Sequence, residues 1–190
     1  MPNQTYGPFR PAFQAFFKAQ GVSPAIVPQY YTVNLFLRHG VDACSVMEYN
    51  EYHVLYQAGI DESQIIRFPL ADQGINFPED GIYCLETTRD SAPEVCKALA
   101  EATLEGWREA ADHAEEALDM VMARVTEEKL PTNRTHMRWM LDHLIPSVFP
   151  KKEGEWKPGV LPRKSYEETK RWLVELDVIK GAPPYEEFVK

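Results

Sequence analysis

Positive charge is what this sequence has least of. Its 20 Lys and Arg face 29 Asp and Glu, a formal net charge of −9 over 190 residues. That balance argues against nucleic acid or an anionic membrane surface as the main partner. Long apolar runs are missing too: none approaches the roughly 20 residues that a bilayer-spanning helix needs. Cysteine is scarce. Cys44, Cys84 and Cys96 form an odd set with no CxxC pair and no zinc spacing, so buried free thiols are the simplest expectation. A Cys84–Cys96 bridge stays open for an oxidising compartment. GxSxG, P-loop, HExxH and GxGxxG patterns are absent, as are internal repeats and low-complexity tracts. The opening Met1-Pro2-Asn3-Gln4-Thr5 shows neither the charged nor the apolar region of a signal peptide.

What is present can build a core: 44% hydrophobic and 12% aromatic residues, in a length that suits one domain or slightly more. Through the first seventy residues helix and strand patterns alternate. A helix over 8–20 carries Phe9, Phe13, Phe16 and Phe17 at spacings of three and four and stops at Gly21. A short strand over 25–30 follows, then a helix over 32–39 capped by Thr32 and closed by Gly40. The segment 41–47 is small, apolar and partly β-branched, the pattern of a covered parallel strand. A helix over 50–58 ends at Gly59, and further strands are expected over 65–70 and 82–86. This alternation predicts an α/β fold. From Ser91 the pattern turns helical, over 92–110, 113–127 and 134–144. After an irregular connection over 151–162 comes a last helix over 165–178, opened by Ser165 with Glu168 at the capping-box position. The tail from Pro183 reads as a terminal arm. Two regions are expected, 1–80 and 81–190.

Glu48, Tyr49, Asn50 and Glu51 arrive together where the expected strand hands over to a helix. In open α/β sheets that is where ligands bind. Two carboxylates, an amide and a phenol can hydrogen-bond to and stack on a small polar ring compound. The plainer reading is that Asn50 caps the helix and the acids favour its dipole. Tyr6 and Gly7 form a turn feeding the first helix, where backbone N–H groups can approach a ligand. The stretch 72–81 is turn-rich and acidic and reads as a hinge. It lacks the DxDxDG spacing of a calcium loop, so no metal is expected. His136 and His143, seven apart, can share a helix face but have no nucleophile partner at a diagnostic spacing. They read as packed or solvated.

Several motifs in order carry a resemblance. They are Val33-Asn34-Leu35-Phe36-Leu37, Gly40-Val41-Asp42-Ala43 and Tyr49-Asn50-Glu51-Tyr52-His53. Asn76-Phe77-Pro78-Glu79-Asp80-Gly81-Ile82-Tyr83, Ala102-Thr103-Leu104-Glu105-Gly106-Trp107 and Arg138-Trp139-Met140-Leu141 continue the series. Together they resemble the thiamine-pyrimidine-precursor family of type 2 periplasmic substrate-binding proteins, components of ABC importers. The resemblance implies two α/β lobes joined by a hinge with the ligand in the cleft. This chain would supply mostly the second lobe and the C-terminal helices, the first lobe being missing. It further implies that Tyr49, Asn50 and Glu51 face the cleft with Glu48 beside them, that Tyr6 and Gly7 sit at the neighbouring strand end, and that Asn76 lies at the hinge. The implied ligand is an aminopyrimidine-like compound, or a related nitrogenous or sulfonate solute. The implied partners are a permease and an ATPase subunit, with no cofactor and no nucleic acid. The full-length protein would be periplasmic or lipid-anchored outside the cell, and the truncated chain would be prone to self-association. A fungal-type pyrimidine synthase and a non-binding fragment are the alternatives.

Overall fold

Backbone hydrogen bonding decides this fold, and it runs along the chain far more than across it. The computed structural model describes residues 10–150 and 157–189. Helices form at Arg10–Gln20 (α1), Asn34–Leu37 (α2), Glu51–Gln57 (α3), Glu86–Ser91 (α4) and Pro93–Asp112 (α5). Ala114–Glu127 (α6), Arg134–Val148 (α7), Arg163–Glu175 (α8) and Tyr185–Phe188 (α9) complete the set, with single 3₁₀ turns at Glu62–Gln64 and Ala71–Gln73. No strand exists among the described residues.

The expected α/β sheet is therefore corrected to an all-helical architecture. Segments 25–30, 41–47, 65–70 and 82–85 are irregular, and Glu86 starts α4 instead of closing a strand. The physical reason is visible at Ser45. Its N–H donates to Gln29 Oε1 at 3.0 Å and its carbonyl accepts from Gln29 Nε2 at 2.8 Å. One side-chain amide thus takes both backbone groups that a strand would offer to a neighbour. Elsewhere most of the β-branched and aromatic side chains face solvent, with Ile66 82% and Tyr83 89% exposed. Strand propensity describes fit to a half-buried pleated surface, and no such surface covers these residues.

The chain divides into two units. One comprises Met1–Ser45, Asp61–Glu79 and Leu161–Lys190. Its core joins Ala15 of α1, Ile75 and Trp172 of α8, with Phe16, Leu70, Phe77 and Leu176 against them. Helix α1 ends as its sequence dictates. Gly21 takes φ +64°, and the bonds Gly21 N–H to Lys18 O and Val22 N–H to Phe17 O close the helix in a Schellman arrangement. At α2 the Thr32 hydroxyl accepts from Asn34 N–H at 3.0 Å. Helix α8 begins earlier than expected. It opens at Arg163 behind Pro162, with no side-chain cap bond, so Ser165 and Glu168 form no capping box. The tail is anchored, with Tyr166 donating to Pro183 O and Tyr185 to Leu161 O.

The second unit comprises Val46–Ile60 and Asp80–Val160. Helices α5, α6 and α7 pack on one another, and α3 packs on α7. Pro93 opens α5 where its missing N–H costs nothing. Arg134 at the start of α7 pairs with Glu115 and Asp119 of α6, and Arg138 also reaches Glu115. Leu118 and Val125 are the buried residues of α6. The expectation of buried thiols is also corrected, since Cys84 is exposed and Cys44 and Cys96 are half-buried. Among the described residues, no helix is long and apolar enough to cross a membrane.

Candidate functional site

The turn entering α3 is held by its own polar groups. Met47 O accepts from Asn50 N–H and Tyr52 N–H, at 3.0 and 3.2 Å. Met47 N–H donates to Glu51 Oε2 at 2.9 Å. Asn50 occupies the N-cap position, but its side chain makes no cap bond. Its Oδ1 instead lies 3.0 Å from Nε2 of His136 on α7. The N-cap role is thus taken positionally and the amide is engaged elsewhere. A true side-chain cap is found at α7, where Asn133 Oδ1 accepts from His136 N–H at 3.0 Å.

From Asn50 the contacts run inward. His53, one turn further along α3, places Nδ1 2.9 Å from His136 Nδ1, with the two ring planes 11° apart and meeting edge to edge. Both imidazoles are buried, at 8% and 7% exposure. Because Asn50 Oδ1 can only accept, His136 carries its proton on Nε2 and presents a lone pair at Nδ1. His53 must then donate from Nδ1, which leaves Nε2 as its lone pair. Burial holds both imidazoles below their ordinary value of 6.5. In His53 the neighbouring His136 and His143 push the same way, and in His136 Glu51 pushes back.

Trp139 completes the cluster. Its ring stacks on His53 at 4.7 Å and 3°, and on His143 at 3.8 Å and 18°. Its indole N–H donates to Glu48 O at 3.0 Å. His143 Nδ1 lies 2.8 Å from Trp139 O. Tyr56 meets Trp139 edge-on and donates to Tyr52 Oη at 3.0 Å. Among the described residues, no group of three or more His, Cys, Asp or Glu is placed to hold a metal. Within the cluster the Asn50 amide, the imidazole pair and the indole engage one another. It is the turn they support, with Glu48, Tyr49 and Glu51, that has the chemistry to hydrogen-bond with and stack on a flat, nitrogen-bearing ring. On the same helix, Met137 lines an apolar hollow of about 420 Å³ with Met120, Val121 and Leu130, which carries little polar recognition.

Of the residues singled out from sequence, Glu48, Tyr49, Asn50 and Glu51 share this turn, with Glu48 exposed and the other three half-buried. Asn76 is exposed and belongs to the other unit. Tyr6 and Gly7 lie outside the described residues. The histidine pair was not foreseen. His136, Trp139, Met140 and His143 recur at spacings of three, four and seven, which puts them on one face of α7. Asn50 and His53 are one turn apart at the head of α3. No local signal pairs the two sets, because 83 residues separate the rings that meet.

Neither the curated proteins nor the solved structures contain a match to this chain. The family described as NMT1/THI5 like matches residues 7–117. That stretch takes in Asn50, Glu51 and His53 and stops before α7, so His136 and Trp139 lie beyond it. The family consists mostly of substrate-binding proteins that are not enzymes. Since the match spans more than half of the sequence, the chain belongs to the NMT1/THI5-like family.

Proposed function

We propose that the chain binds a small amine-bearing ring compound, an aminopyrimidine-like thiamine precursor or a close relative, as the substrate-binding component of an importer. Family membership is the observation that carries this reading. The polar turn before α3 adds chemistry suited to it. Glu51 secures Met47 through Oε2 and offers its other oxygen to an exocyclic amine. Tyr49 supplies a ring face and Glu48 a second carboxylate. Two acids at one turn suit an amine-bearing ring better than a small anion. Behind them, Asn50, His53 and His136 brace α3 against α7 and fix the turn. A permease and an ATPase would be the partners, and the periplasm or outer face of a membrane the place of action.

Titration calorimetry of the chain with an aminopyrimidine alcohol, riboflavin and taurine tests this. Saturable heat with the aminopyrimidine is expected, weakened roughly tenfold or more, about 1.4 kcal/mol, by Glu51→Gln and by Tyr49→Ala. No heat with any of the three compounds removes the substrate reading. Binding that both variants leave untouched keeps the function and moves the site. Permease and ATPase genes beside this one would support import.

A further inference from the structure

Cys84 sits in the irregular segment that leads into α4, and Cys96 in the first turn of α5. Their sulfurs are 3.5 Å apart, with the Cys96 S–H donating to Cys84 Sγ. A disulfide needs about 2.05 Å, so closure asks for roughly 1.5 Å of approach. The segment can supply it. Tyr83 and Leu85, flanking Cys84, are 89% and 73% exposed, so no packed side chain resists a small shift there. Cys96 by contrast is held on a regular helix. Cys44, the third thiol, belongs to the other unit.

We propose that Cys84 and Cys96 are an oxidation site that closes to an intramolecular disulfide in the presence of a low-molecular-weight disulfide. Exposed Cys84, as thiolate, attacks one sulfur of the small disulfide and expels one thiolate, giving a mixed disulfide on Cys84. Cys96 loses its proton to solvent and attacks Cys84 Sγ, expelling the second small thiolate. Two protein thiols are oxidised and one small disulfide is reduced to two thiols. The hydrogen bond to Cys84 and partial burial hold the Cys96 thiol above its ordinary range, so Cys96 acts second. The bridge closes the loop containing α4 and ties residues 82–85 to α5. It therefore removes freedom from an exposed part of the second unit.

The test is oxidation of the full chain with oxidised glutathione under native conditions, followed by alkylation, intact mass and peptide mapping. Alkylatable thiols should fall from three to one, with a mass loss of about 2 Da and a single crosslinked peptide joining Cys84 to Cys96. Closure should be roughly tenfold or more faster in the native chain than in urea, because the fold already holds the sulfurs together. Dithiothreitol should lower the melting temperature of the oxidised chain but not of Cys96→Ser. Three persistent thiols, a stable glutathione adduct on wild-type Cys84, or a bridge to Cys44 would each overturn the proposal. These readouts need no ligand, so the proposal stands or falls separately from the substrate-binding reading.

Discussion

His53 and His136 meet through like atoms, Nδ1 to Nδ1 at 2.9 Å, and Asn50 dictates which ring donates. With Asn50 Oδ1 accepting from His136 Nε2–H, a proton added at His136 Nδ1 would set N–H against N–H. The first proton must therefore enter at His53 Nε2, and the pair takes up acid as one coupled unit.

The pair makes stability depend on pH in a defined direction. Both imidazoles titrate below 6.5 in the folded chain, mainly through burial. Below 6.5 the unfolded chain consequently binds more protons than the folded one, and stability rises with pH across that window. The melting temperature should hold level above about pH 7 and fall as pH drops through 6.5 toward the lower folded values. His53→Gln and His136→Gln should each flatten that fall. A wild-type melting curve with no slope between pH 7 and about 5.5 would contradict it.

Asn50 should matter through His136 and not as a helix cap. Asn50→Ala leaves a buried imidazole N–H unpaired, which is expected to cost about 1–3 kcal/mol in urea denaturation. In a double-mutant cycle with His136→Ala, the coupling should be about 0.5 kcal/mol or more. Additive single effects would show that the Asn50–His136 bond contributes little to stability.

Trp139 separates stacking from hydrogen bonding. Trp139→Phe keeps a ring between His53 and His143 but loses the bond to Glu48 O. It should cost about 1 kcal/mol. Trp139→Ala removes the ring as well and should cost about 3–5 kcal/mol. Equal losses would mean that the stack contributes little.

In the other unit, Ile75 is 2% exposed against Ala15 and Trp172. Ile75→Ala is expected to cost about 2–5 kcal/mol by the same measurement. A loss under about 1 kcal/mol would show that this small core can collapse onto the vacancy.

The helices were legible where a local signal sufficed. Gly21 and Gly59 stop α1 and α3, Pro93 starts α5, and the apolar periodicity after Ser91 marks α5 to α7. The failures share one cause. Residues 41–47 have a strand's composition, but a strand is a statement about a neighbour, and here the neighbour of Ser45 is the Gln29 side chain. Ser165 and Glu168 have the capping-box spacing, yet Pro162 sets the helix start earlier. At the site, the polar turn at Glu48 to Glu51 was visible as a cluster, whereas its support was not.

Composition and local pattern alone determined the acidic balance, the stops of α1 and α3, the start of α5 and the family resemblance, because each is written in residue identities or in short runs of neighbouring residues. Tertiary structure alone decided that Asn50 turns its amide to His136 instead of capping α3, and that His53 finds its partner 83 residues away. Such choices are made by whichever buried group needs a hydrogen bond once the helices have packed, and no stretch of sequence carries that information locally.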